Sequence, residues 1–187
     1  MSERFDIIET PLAGLRLLQR KPRGDARGYL ERLFCRAQLA EILDGAEIEQ
    51  INHTLTRVRG TVRGLHFQHP PHAEIKLVTC LRGEVFDVAV DLRRGSPTFL
   101  GWHGERLSDE NHRTLAIPRG FAHGFQTLTG DCEMLYLHSA AYQPTAEAGL
   151  NPQDPRIAIH WPLAVTQLSE RDASCPFVDE SFCGIRL

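Results

Sequence analysis

His66 stands in Val62-Arg63-Gly64-Leu65-His66-Phe67-Gln68, with an apolar residue on each side. Histidine is the one side chain whose unperturbed pKa lies close to neutrality, which suits it to take up and return a proton. Arg63 and Lys76 bracket it with two fixed positive charges. A base set among cations suits an anionic substrate that must lose a proton. A lone strand histidine is more often a half-buried group with a satisfied hydrogen bond. Arg63, His66 and Lys76 within one hairpin-sized stretch favour function instead. If the stretch is a strand, alternation places His66 on the face opposite Leu65 and Phe67, and no other nearby group is expected to titrate near pH 7.

The remaining chemistry-bearing residues divide by role. His66, His69, His72 and His123 invite comparison with a metal site, and Pro118-x-Gly120-x-x-His123 resembles the second motif of metal-binding cupins. The position two residues after His66 is Gln68, however, so the ligand set is incomplete and no metal is expected. His69 and His72 fall in a Pro-rich turn and read as solvated. His123, between Ala122 and Gly124, reads equally as a substrate contact or a core hydrogen bond. Inversion of a carbon centre needs an acid on the substrate's other face. Tyr136, in Glu133-Met134-Leu135-Tyr136-Leu137-His138, is the candidate phenol, though a strand aromatic can equally fill a core.

The elements that must position these groups read as β-strands. Short strands are expected at Phe5–Thr10, Leu15–Gln19, Tyr29–Phe34, Ile48–Leu55, Lys76–Leu81, Val85–Asp91, Trp102–Leu107, Arg113–Ile117, Gly124–Leu128, Glu133–His138 and Ile157–Ile159. Lys21–Gly28 reads as a loop, Arg36–Leu43 as a helix, and Arg82-Gly83-Glu84 as a hairpin turn. Pro144–Pro155 reads as irregular, and Leu163–Leu187 as a loop with a short helix. Strands this short at this spacing argue for an all-β sandwich or barrel.

Composition sets limits. A chain of 187 residues suits one domain over residues 1–187, with enough length to bury a core. A net charge of −3 gives no sign of nucleic-acid binding. No apolar run approaches the roughly 18 residues that cross a bilayer. Met1-Ser2-Glu3-Arg4 lacks the apolar stretch of an export signal, so a cytoplasmic protein is expected. The five cysteines are widely spaced without a Cys-x-x-Cys pair, consistent with reduced thiols.

A longer pattern links these pieces. Arg63-Gly64-Leu65-His66-Phe67-Gln68, Lys76-Leu77-Val78, Gly83 to Arg93, Ser96-Pro97-Thr98-Phe99 and Ile117 to Phe125 resemble the dTDP-4-dehydrorhamnose 3,5-epimerase family, in a match from about Asp25 to Asp172. The resemblance implies a double-stranded β-helix, the cupin-type jelly roll, with short peripheral helices. It implies cofactor-independent epimerisation at C3 and C5 of a nucleotide-linked 4-keto-6-deoxy sugar, in a homodimer whose base pocket is shared between subunits. His66 would be the base, Asp172 its partner carboxylate, Lys76 the stabiliser of the enolate oxygen and Tyr136 the acid. Arg27, Arg32, Gln50, Asn52, Arg63, His123, Tyr142, Glu147 and Arg171 match positions that contact substrate.

The chain departs from the pattern at Leu30, where the family has an aromatic, and at Arg32, where it has Glu. Arg can only donate, whereas Glu accepts from the thymine N–H. If Arg32 faces the base, a weaker thymidine preference and use of a cytidine-linked sugar follow; if it turns to solvent, it reads nothing. Other readings are an epimerase of a single carbon, a metal-dependent cupin oxygenase and a non-catalytic sugar-nucleotide-binding cupin.

Overall fold

The computed structural model describes residues 4–187; the reading of Met1-Ser2-Glu3 at the start of the chain lies outside the described residues. Strands β1 (Phe5–Glu9), β2 (Arg16–Arg20), β3 (Arg23–Asp25), β4 (Gly28–Leu30), β5 (Gln50–Thr56), β6 (Val62–Gln68) and β7 (Lys76–Arg82) form the first half. They are followed by β8 (Glu84–Asp91), β9 (Trp102–Ser108), β10 (Arg113–Ile117), β11 (Phe121–Thr127), β12 (Cys132–His138) and β13 (Glu147–Gly149). Two one-turn helices, α1 (Ala40–Leu43) and α2 (Glu170–Ala173), lie at the periphery.

Six strands form one antiparallel sheet in the order β1-β2-β10-β7-β12-β5, and five form the facing sheet in the order β13-β6-β11-β8-β9. From β6 to β12 the chain crosses between the sheets at every step except the β8–β9 hairpin, and this winding makes the expected jelly roll. Alternation along each strand then sorts the side chains. On β7, Lys76, Val78 and Cys80 point between the sheets, while Leu77 packs outside with Leu18, Leu39 and Leu137. On β6, Leu65 and Phe67 join an outer cluster with Val88, Val90, Ile157 and Ile185, under the C-terminal segment. The interior is apolar at one end, where Leu15, Val85, Leu107, Leu115, Phe121 and Met134 meet. Its other end is polar and open.

Several expected elements differ. Only Tyr29 and Leu30 of the expected Tyr29–Phe34 strand pair, in β4, and they pair with β3 inside the expected Lys21–Gly28 loop. The chain leaves the ribbon because Glu31 turns inward, its Oε1 lying 3.2 Å from Nε of Arg20 and 2.9 Å from Nδ1 of His112. The Arg36–Leu43 helix shrinks to one turn: Leu39 supplies no side-chain cap, and Asp44 ends it in the left-handed conformation at φ 46°. Ile157–Ile159 forms no strand, because Oδ1 of Asp154 takes the backbone N–H groups of Arg156 and Ile157 and holds a turn. Within the expected irregular stretch Pro144–Pro155, β13 forms by pairing with β6.

Candidate active site

The polar end of the interior is a cavity of about 1230 Å³, roomy by the standard of drug-sized sites, which run to about 1,000 Å³. The five-stranded sheet supplies His66 and Gln68 from β6 and His123 from β11. The six-stranded sheet supplies Lys76 from β7, Tyr136 and His138 from β12, and Gln50, Asn52 and Thr54 from β5.

His66 faces the cavity as alternation predicts, with Leu65 and Phe67 buried behind it. Its Nε2 lies 2.7 Å from Oδ1 of Asp172, leaving Nδ1 as the ring nitrogen without a partner among the described residues. Asp172 arrives on α2, capped by Ser169, and its Oδ2 accepts the backbone N–H of Gly64 at 3.1 Å. Burial pushes the Asp172 carboxyl up, but the bonds from His66, Gly64 and Ser169 outweigh it and hold the group below the usual carboxylate range. Gly64 is required here: its φ is +120°, and a Cβ would lie 2.5 Å from Cα of Gly124.

Tyr136 projects from the opposite sheet and meets the His123 ring edge-on at 6.1 Å. Burial raises its phenol pKa above the ordinary value; Thr54 opposes the rise and Asp87 adds to it. His123 lines the cavity, and its Nε2 lies 2.9 Å from the buried carboxylate of Asp87. Burial raises the Asp87 pKa, with His123 opposing. Lys76 is buried rather than solvated, with Nζ 2.9 Å from Oε1 of Glu74.

Of the substrate-contact candidates, Gln50, Asn52, Arg63, His123, Tyr142, Glu147 and Arg171 all line the cavity. Tyr142 donates to Oε2 of Glu147 at 2.6 Å, and Arg171 reaches the same oxygen at 2.6 Å. Burial pushes Glu147 up, but these two partners hold its pKa low. Arg27 and Arg32 are not brought to the cavity of their own chain. Arg27 is exposed on the β3–β4 ribbon and folded onto Asp25, and Arg32 is exposed just beyond it. His69 is exposed and His72 half-buried in their turn.

His66 is not the only imidazole here: His123 and His138 line the same cavity. Sequence reasoning also passed over Glu74 and Asp87. His138 had a signal, for it lies two positions after Tyr136 and so shares its face. Asp87 had one too, as an acid on the inward face between Val85 and Ala89. Glu74 lies outside any strand and carried none.

Comparison with known proteins bears on what this cavity does. The model of the family described as dTDP-4-dehydrorhamnose 3,5-epimerase matches residues 9–180. A relative of that description from Sinorhizobium fredii is 44% identical over 170 residues, covering 90% of this chain and 87% of the relative. One from Salmonella typhimurium is 41% identical over 178 residues, covering 94% and 96%. The crystal structure of dTDP-6-deoxy-D-glucose-3,5-epimerase from Legionella pneumophila, in complex with dTDP-4-keto-L-rhamnose, superposes with a TM-score of 0.89 at 39% identity, covering 97% of this chain and 98% of that one.

Proposed function

We propose that this chain, which belongs to the dTDP-4-dehydrorhamnose 3,5-epimerase family, converts dTDP-4-dehydro-6-deoxy-glucose to dTDP-4-dehydro-L-rhamnose by inverting C3 and C5. One observation carries the reading: a carboxylate-backed histidine on one sheet and a buried phenol on the other line the same cavity. Nδ1 of His66 takes the proton from the carbon next to the C4 ketone, and the C–H electron pair moves into the enolate. Asp172 accepts the Nε2 hydrogen, fixes that tautomer and balances the imidazolium once it forms. The Lys76 ammonium stabilises the enolate oxygen. Tyr136 returns a proton from the opposite face, so the configuration inverts. Each inversion leaves His66 protonated and Tyr136 as a phenolate, so proton exchange with solvent must reset both before the second carbon reacts; no step calls for a cofactor.

Arg63 and Arg171 suit the diphosphate, because a guanidinium fork can bond two oxygens at once. The exposed ribbon carries Arg27, with Arg32 just beyond it, and leaves Tyr29 62% and Leu30 68% exposed. This supports a homodimer in which the ribbon completes the partner's base pocket. Proton NMR in heavy water with dTDP-4-dehydro-6-deoxy-glucose tests the reading. Deuterium is expected to enter at both C3 and C5 with formation of the L-rhamno product. Exchange at one carbon only would make this a mono-epimerase, and no exchange would leave a binding protein.

A further inference from the structure

Lys76 does not stand alone in the cavity. Glu74 holds its Nζ through Oε1, and Oε2 of Glu74 faces Nδ1 of His138 at 3.5 Å. The other ring nitrogen of His138, Nε2, lies 3.3 Å from Nδ2 of Asn52. One fixed end gives these bonds a direction. The backbone N–H of Tyr142 can only donate, so the amide oxygen of Gln50 faces it, at 3.0 Å. Gln50 therefore turns its Nε2 to Asn52, whose Oδ1 accepts at 3.1 Å. Asn52 has only its NH₂ left for His138, so Nε2 of His138 accepts and the ring hydrogen sits on Nδ1, aimed at Glu74. Gln68 is pinned in the same way: its Oε1 accepts the backbone N–H of Gln143 at 2.7 Å, and its Nε2 donates to Oε2 of Glu74 at 2.8 Å.

On the epimerase reading, we propose that His138 is a positioning residue for Lys76, joining the substrate-facing amides of β5 to the Glu74–Lys76 pair through one unidirectional chain of hydrogen bonds. The chain has a chemical purpose. A carboxylate with no other donor binds an ammonium as tightly as it can and blunts its charge. With His138 and Gln68 donating to Oε2, Glu74 holds Lys76 in place through Oε1 while part of its charge is spent elsewhere. The ammonium is thereby left able to meet an enolate oxygen. His138 also lies stacked on Tyr136, with ring centroids 6.1 Å apart and planes 23° apart, so a pure packing role is the competing account.

Two substitutions separate the accounts. His138→Asn keeps an N–H where Nδ1 stood but leaves space under Tyr136. His138→Leu fills that space and donates nothing. The rate of deuterium entry into the keto sugar is expected to fall about tenfold in kcat for the Leu variant with KM little changed, less than the 10²–10³ lost when an oxyanion donor itself is removed. The Asn variant is expected to stay within about threefold of wild type on the same scale. The reverse order, Leu faster than Asn, overturns the proposal in favour of packing. A long-range proton–nitrogen spectrum of the wild-type imidazoles gives a second readout that needs no activity. Hydrogen on Nδ1 of His138 supports the chain, and hydrogen on Nε2 overturns it. A wild type that exchanges no deuterium overturns the epimerase reading and the role of Lys76 with it, while the spectrum still decides the direction of the bonds.

Discussion

Burial makes the Tyr136 phenolate costly and raises the phenol's pKa above the ordinary tyrosine value. On the proposed mechanism this suits Tyr136 to be a donor and not a second base. Tyr136→Phe keeps the ring and removes the proton. Deuterium should still wash into the substrate, since abstraction survives, while net inversion is lost; full inversion by this variant would remove Tyr136 from the acid's place. On the same proposal His66 is the other half of the pair. His66→Ala should lower exchange at both carbons by about 10²–10⁴-fold, the usual worth of a positioned general base. His123 and His138 share the cavity, but each is committed to a buried carboxylate, Asp87 and Glu74. Wild-type exchange rates in the purified His66→Ala protein would move the base to one of them.

At the scale of elements, the site depends on β6 approaching β11 more closely than any side chain allows. Gly64→Ala places a methyl 2.5 Å from Cα of Gly124 at a φ of +120°. Strain of this kind costs about 1–3 kcal/mol, or a Tm lower by about 2–12 °C for a chain of this size. It should also disturb the Gly64 N–H that holds Asp172, so kcat should fall with KM little changed. Calorimetry together with kinetics checks both effects, and an unchanged Tm would mean that the strands can part without cost. The exposed β3–β4 ribbon raises the question of Arg32. If that residue meets the base in a partner's pocket, Arg32→Glu restores an acceptor for the thymine N–H. Satisfying a donor that was unpaired is worth about 1–3 kcal/mol, so dTDP selectivity over CDP should rise by tenfold or more in calorimetric titration. No change would show that Arg32 points to solvent.

Across the whole molecule, one interior serves two purposes. The apolar end supplies stability, and the polar end gathers charged groups at some cost to it. Asp91 illustrates how such cost is met: it is fully buried, and Arg93, Ser96 and Thr98 all donate to it. Burial raises the Asp91 pKa, but these donors bring it below the ordinary value, as happens also for Glu74 and Asp172. A carboxylate with a depressed folded pKa contributes stability that is complete above the unfolded value, about 4, and is lost as pH falls through the folded value. Asp87, whose pKa is raised, acts with the opposite sign. Glu105 and Glu147 are depressed as well, so depressed carboxylates outnumber the raised Asp87 and Tm should fall as pH drops below about 4. Asp91→Asn should lower Tm at pH 7 and flatten that fall. A variant with the wild-type pH slope would show that Asp91 carries no such linkage.

The local pattern of the chain determined a great deal. Period-two alternation put His66 opposite Leu65 and Phe67, and Tyr136 opposite Leu135 and Leu137, because strand faces follow from neighbouring residues alone. The order of motifs around His66, Lys76, Tyr136 and Asp172 pointed to the family and the jelly roll. Other features were decided only when distant segments met. Asp172 lies 106 positions from His66, and only the return of the C-terminal segment across β6 makes them partners. β13 exists because β6 offers it an edge, and Glu31 leaves its strand because Arg20 and His112 wait inside. The path from Tyr142 to Lys76 passes through β5, β12 and the turn before β7, which are remote in sequence and adjacent only in the folded sheet. Alternation is a property of neighbours along the chain, whereas a hydrogen-bond network is a property of neighbours in space.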